Sequence, residues 1–105
     1  MADQSVTITV RLRAKHGMIE RLREAGRNLI TPTRKEEGCI SYLFHEDTKD
    51  QGLFLFFEIW RSQEALERHL ETPYLKSFRK VLDETLAEPA EIIFWQPQEA
   101  LISVD

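Results

Sequence analysis

The chain of 105 residues contains one cysteine, Cys39. No intrachain disulfide can form, and a CxxC metal site is excluded. Its four glycines, at 17, 26, 38 and 52, are scattered. None completes a GxGxxG or GxxxxGK[ST] phosphate cradle, and neither HExxH nor GxSxG occurs. The longest apolar run, Leu53 to Phe57, is far too short to cross a bilayer. The start, Met1-Ala2-Asp3-Gln4, begins no apolar signal run, so a cytoplasmic address is expected. Basic residues are outnumbered, 14 Lys and Arg against 18 Asp and Glu, for a net charge of −4. That balance argues against nucleic acid, which needs a clustered basic face. Arg21, Arg23 and Arg27 alternate with Glu20 and Glu24, as on a solvated helix face.

What is present is one small soluble domain, 42% apolar and 30% charged. Val6, Ile8, Val10 and Leu12 alternate with Thr7, Thr9, Arg11 and Arg13, a strand pattern. Met18, Leu22, Ala25 and Leu29 recur at helical spacing after Gly17. Pro32 predicts a kink, or a restart with Thr31 as cap. Gly38, free to take a positive φ, closes the helix. Cys39 to Glu46 reads as a strand with Ile40, Tyr42 and Phe44 on one face. The polar turn 47–52 joins it to a third strand, Leu53 to Trp60, as a hairpin. Ser62 caps a helix bearing Leu66 and Leu70, and Thr72-Pro73 starts another bearing Leu75, Phe78, Leu82 and Leu86. Ala90 to Gln96 is a last strand. The order β-α-β-β-α-β predicts an α+β, ferredoxin-like fold, an antiparallel sheet with helices on one face. It is a single domain over 1–105, with its core at about 6–97 and a tail at 98–105.

The third strand is the misfit. Leu53, Leu55, Phe57 and Ile59 lie on one face; Phe54, Phe56, Glu58 and Trp60 lie on the other. Two helical units can cover only one face, and a bare apolar sheet face is rarely left in water. The last strand repeats the pattern, with Ile93 and Trp95 opposite Ile92 and Phe94. A second copy of the chain is the simplest cover. The apolar tail, with Leu101, Ile102 and Val104, either crosses to that partner or frays.

His69 sits between Leu66 and Leu70 at the edge of an apolar face. There its proton affinity can be tuned for proton transfer, or it simply hydrogen-bonds a neighbour. Glu58 interrupts an apolar strand and needs a partner or a raised pKa. It either orients a base or holds a substrate hydroxyl, or it pairs with Arg11 or Arg13 across the sheet. Tyr42, Phe44, Phe54, Phe56, Trp60, Tyr74 and Phe78 can line a slot for a flat ring, although most aromatics in strands serve core or interface. His45 and Asp47 at a strand end are a weak metal signal, and no metal or other cofactor is expected. Cys39 reads as a small buried apolar residue.

Three segments together carry a resemblance: Glu37-Gly38-Cys39-Ile40-Ser41-Tyr42, Phe57-Glu58-Ile59-Trp60-Arg61-Ser62, and Glu64 through Phe78 with its His69-Leu70-Glu71-Thr72-Pro73 core. The chain resembles the antibiotic biosynthesis monooxygenase domain family, closest to small quinol monooxygenase-like members, from Val6 to about Pro97. The resemblance implies a homodimeric α+β barrel, often with exchanged C-terminal segments, and a pocket between sheet and helices in each monomer. It raises His69, Glu58 and Trp60 to candidate catalytic residues, and makes Tyr42, Tyr74 and Phe78, with Phe44 beside them, candidates for holding substrate. Haem-degrading relatives use an Asn, a Trp and a His where this chain has Val10, His69 and Arg79, so haem oxygenation is not expected.

The resulting expectation is a cofactor-independent monooxygenase acting with O2 on a quinol, a phenol or a polyketide-like aromatic. The alternatives are a small-carbonyl isomerase or other proton-transfer enzyme, with Arg11 or Arg13 reading an anionic group, and a non-catalytic dimeric binder.

Overall fold

A computed structural model describes residues 4–98. The expected tail at 98–105 lies, beyond Gln98, outside the described residues. The elements are β1 (Val6–Arg13), α1 (Ile19–Arg34), β2 (Cys39–Glu46), β3 (Leu53–Trp60), α2 (Gln63–Leu70), α3 (Pro73–Thr85) and β4 (Glu91–Trp95). All pairings are antiparallel, in the order β2-β3-β1-β4. This is the ferredoxin-like arrangement, with the helices on one face.

Local chemistry sets most boundaries. Ser62 accepts a hydrogen bond from the Ala65 amide at 3.1 Å, and Thr72 accepts from the Leu75 amide at 3.3 Å. These are the two expected N-caps, and Pro73 fills the first helical position, where no amide is needed. Asp47 Oδ1 accepts from the amides of Lys49 and Asp50, both at 2.8 Å, and folds the turn that ends at Gly52, whose φ is +93°.

Three expectations need correction. The helix does not restart at Pro32: α1 runs through it to Arg34. Pro32 falls in the last turn, so the one bond it removes frees the carbonyl of exposed Asn28, which water can satisfy. Gly38 does not take a positive φ; Gly17 and Gly52 do. Its requirement is steric, because a Cβ there would lie 2.2 Å from the Ala65 Cβ. This lets the α1–β2 connection press against the first turn of α2. Finally, Ile40 does not share a face with Tyr42 and Phe44. The β2–β3 register slips between Cys39, opposite Trp60, and Ser41, opposite Ile59. Ile40 is the extra residue of this bulge and is exposed.

The core lies between helices and sheet. Ile8, Leu12, Tyr42, Phe54, Phe56 and Trp60 from the strands meet Leu22, Leu29, Leu66, Leu75 and Phe78 from the helices. The other sheet face has no helix. Leu43, Leu55, Ile93 and Trp95 stand on it with relative exposures of 40%, 36%, 36% and 52%. The edge strand β4 is open on the helix side too, at Ile92 and Phe94.

Gly38→Ala should destabilise the domain by about 1–3 kcal/mol through overpacking alone. Chemical denaturation of Gly38→Ala, Ala65→Gly and the double variant checks this. The double variant should recover part of the loss, whereas simple additivity would mean that the two residues do not collide.

Candidate functional site

Three elements converge beside Trp60. Along β3, Glu58 and Trp60 point to the helix side two residues apart, so their side chains are neighbours. The indole Nε1–H of Trp60 donates to Glu58 Oε1 at 2.9 Å. Arg11 and Arg13 lie on the opposite sheet face: Arg13 pairs with Asp50 at 2.7 Å, and Arg11 stands 3.6 Å from Glu88. The expected alternative, pairing of Glu58 with either arginine, is therefore corrected. Parity along β1 sends those side chains away from Glu58, whose cross-strand partner is Ile8.

α2 brings His69 onto this pair. Its ring lies over the Trp60 indole with centroids 4.5 Å apart, and meets the Tyr42 ring edge-on at 5.7 Å. Its Nδ1 lies 2.8 Å from Glu36 Oε2, so the carboxylate that holds His69 is Glu36 rather than Glu58. The hydroxyl of Tyr74, on the first turn of α3, donates to the same Glu36 oxygen.

Beside them lies a cavity of about 180 Å³ between the sheet and α2 and α3. Tyr42, Glu58 and His69 form its polar end; Ile8, Val10, Phe56, Leu75 and Phe78 supply apolar wall, and Arg79 and Ile92 also line it. Among the predicted site residues, His69, Glu58, Tyr42 and Phe78 border the cavity. Trp60 stands behind it, wholly buried, touching both His69 and Glu58. Tyr74 does not line the cavity and joins the site through Glu36 and a ring contact with His69 at 6.5 Å, and Phe44 lies apart. The Phe44 ring stacks on Phe54 and Phe56 and sits against Gly26, where a Cβ would come within 2.3 Å of it.

Burial shapes the proton chemistry. Glu58 is 4% exposed. Desolvation, with a smaller push from Glu36, raises its pKa to about 7 against the opposing Trp60 hydrogen bond. His69 moves the other way: desolvation lowers its pKa, and pairing with Glu36 only partly offsets this. Both shifts favour the uncharged forms, a neutral imidazole and a protonated carboxyl, on one cavity. Tyr42 and Tyr74 are both raised, chiefly by desolvation, Tyr74 to about 12, so both stay protonated. Cys39 is pushed up to about 11 by burial and nearby carboxylates, consistent with a structural thiol. Among the described residues no group of three His, Cys, Asp or Glu side chains is arranged to hold a metal ion. No helix there is long and apolar enough to cross a membrane.

Glu36 was not anticipated. It follows α1, where the helix dipole disfavours an acid, and sits in a Glu-Glu-Gly run that otherwise reads as a polar helix end. That unfavourable placement was the only signal. Its partners lie 33 and 38 residues further along the chain.

Known proteins agree with this architecture. The model of the antibiotic biosynthesis monooxygenase family matches residues 5–81, and the chain belongs to that family. The Synechocystis protein sll1783 is 38% identical over 98 residues, 93% of this chain and 67% of that protein. The solved structure of Rv0793 from Mycobacterium tuberculosis superposes with a TM-score of 0.87 at 31% identity, covering 93% of this chain and 99% of that one. That of PA3566 from Pseudomonas aeruginosa gives 0.86 at 31% identity, covering 91% and 96%.

The raised Glu58 pKa carries a pH signature. The folded state holds this proton more tightly than the unfolded chain, so stability falls as pH rises from the ordinary glutamate value of 4.5 to about 7, then levels. His69, with a lowered pKa, contributes in the opposite sense near its ordinary value of 6.5. The difference between wild type and Glu58→Gln isolates the Glu58 contribution. The variant should gain on the order of 2–3 kcal/mol relative to wild type between pH 4.5 and pH 8. Urea denaturation across this range measures it, and parallel curves would mean an ordinary Glu58.

Proposed function

We propose that this chain is a cofactor-independent monooxygenase that oxidises a small hydroxyarene, a phenol or quinol, with O2. The family match supports the monooxygenase class. The observation that carries the reading further is a neutral-leaning His69 beside a carboxyl of pKa about 7 in one apolar cavity. About 180 Å³ suits one substituted ring or a fused pair; an apolar cavity of ~150 Å³ is known to accept benzene. A larger polycyclic aromatic needs the cavity to widen.

In this reading His69 removes the phenolic proton. The phenolate passes one electron to O2, which itself partitions into apolar surroundings. The radical pair joins at a ring carbon para or ortho to the oxygen, forming a peroxide. Loss of the ring C–H proton with cleavage of the O–O bond expels water and leaves a quinone. A phenol plus O2 thus becomes a quinone plus water, with one oxygen atom in each product and all four electrons drawn from the ring. Glu58, when protonated, donates to the substrate or peroxide oxygen. Trp60 holds Glu58 and His69 in place, Tyr42 and Phe78 clasp the ring, and Tyr74 acts through Glu36. Phe44 supports the wall from behind Phe56.

A homodimer is the proposed unit. The exposed apolar row Leu43, Leu55, Ile93 and Trp95 supports packing of two sheets face to face. A reducing, cytoplasmic setting suits a chain whose one cysteine serves packing.

Oxygen uptake by metal-free protein with a panel of monocyclic and bicyclic phenols and quinols tests the reaction. With 18O2, label should enter product, and His69→Ala should lose at least about a hundredfold in kcat/KM. No label across the panel, or full activity in His69→Ala, refutes the assignment. One second reading has specific support, since an acid and a base on one cavity also suit proton transfer on a small carbonyl compound. Turnover under nitrogen would select it. Sedimentation should show a dimer at micromolar concentration, with Leu55→Glu shifting it toward monomer. A wild-type monomer would exclude the face-to-face unit.

A further inference from the structure

The base assigned to His69 needs its lone pair aimed at substrate, and an imidazole can carry its proton on either nitrogen. We infer that Glu36 is the positioning carboxylate of this site, with Tyr74 as its anchor: together they fix His69 as the Nδ1–H tautomer and leave Nε2 as the base. This rests on the reading of His69 as the proton acceptor.

The geometry is direct. His69 Nδ1 lies 2.8 Å from Glu36 Oε2. A carboxylate oxygen only accepts, so the ring nitrogen facing it carries the hydrogen. The Tyr74 hydroxyl donates to the same oxygen, and its own ring stands 6.5 Å from the imidazole. Glu36 is therefore held from two helices at once. His69 is 2% exposed and borders the cavity, and with Nδ1 held by Glu36 the ring nitrogen left to meet a ligand is Nε2. A substrate hydroxyl is the group that the proposed reaction would place there.

The ring plane is fixed as well. The Trp60 indole covers one side of the imidazole at 4.5 Å, and the Tyr42 ring meets it edge-on at 5.7 Å. With Nδ1 tethered, rotation about the side-chain torsions would break a hydrogen bond and two ring contacts together. When Nε2 takes a proton, the resulting imidazolium lies against the Glu36 carboxylate, which stabilises it. The charged and titratable groups facing His69 are Glu36 from the α1–β2 connection, Tyr42 from β2, Glu58 from β3, and Tyr74 and Arg79 from α3. Glu36 is the one among them in hydrogen-bond contact with the ring.

The test reads the ring itself. 15N NMR of the His69 imidazole in substrate-free protein should show the Nδ1–H tautomer at high pH. In Glu36→Gln the hydrogen bond can persist while the charge is lost, so the imidazolium loses its counter-charge and the His69 pKa should fall. In Tyr74→Phe the carboxylate loses a competing donor, and the His69 pKa should rise. A residue serving structure alone would not move this pKa in opposite directions in the two variants. In turnover with a phenol that the wild type oxidises, Glu36→Gln should lose about tenfold or more in kcat at unchanged KM, with the acid limb of the pH profile displaced downward. An Nε2–H tautomer in the wild type, or a His69 pKa unmoved in Glu36→Gln, overturns the inference. Should Glu36→Gln fail to fold, an unmoved pKa in Tyr74→Phe overturns it instead. If the tautomer and pKa shifts appear but His69→Ala keeps full turnover, the base reading fails while the hold of Glu36 on the ring stands.

Discussion

Trp60 ends β3 with no exposed surface and an indole N–H that must find an acceptor inside the protein. Glu58, two residues earlier on the same strand face, provides it. The cost of burying that carboxyl appears as a pKa raised to about 7. The same indole is the surface against which the His69 ring packs. One bulky residue thus sets the depth of the acid and the plane of the imidazole. The α1–β2 connection must pass close by, because Gly38 packs on Ala65 and accepts the Arg61 amide at 2.8 Å. That close passage carries Glu36 to within reach of His69.

A small domain has little volume to spare for a site. This one makes room by placing its helices off-centre. α1 packs over the β2 side, where Arg34 donates to the Tyr42 carbonyl at 2.8 Å and Arg23 pairs with Glu46 at 2.8 Å. α2 and α3 cover the middle, and β4 is left open. The cavity occupies the resulting gap, apolar along its walls and polar at the end beneath Trp60. Such a shape fits the flat ring proposed as substrate, with the walls against its faces and the few polar groups at one edge. The proposed chemistry asks no more of the protein than this, because the substrate supplies the electrons.

Much of this was readable in one dimension. The alternation in Val6–Arg13, the Ser62 and Thr72-Pro73 caps and the helical stripes are local signals whose physics acts over a few residues. The doubly apolar β3 followed from period-two parity alone, and the bare sheet face is where that parity put it. A restart at Pro32 failed for a local reason, and two other readings failed for reasons that are not local. Pro32 lies late enough in α1 that its missing bond costs little. Gly38 serves a contact with a helix 27 residues away rather than its own φ. Ile40 lost its expected face to a bulge that depends on pairing with β3.

The sequence by itself determined the element order, and hence the ferredoxin-like fold, because periodicity and capping are read along the chain. It also marked His69 and Glu58 as polar groups in apolar surroundings, and the family resemblance raised them, with Trp60, to site candidates. What only the tertiary structure decided is who holds whom. Strand parity turned Arg11 and Arg13 away from Glu58, and the turn into β2 delivered Glu36, not Glu58, to His69 Nδ1. Hydrogen-bond partners are chosen by distances of about 3 Å between segments far apart in the chain. Those distances exist only once the core has packed.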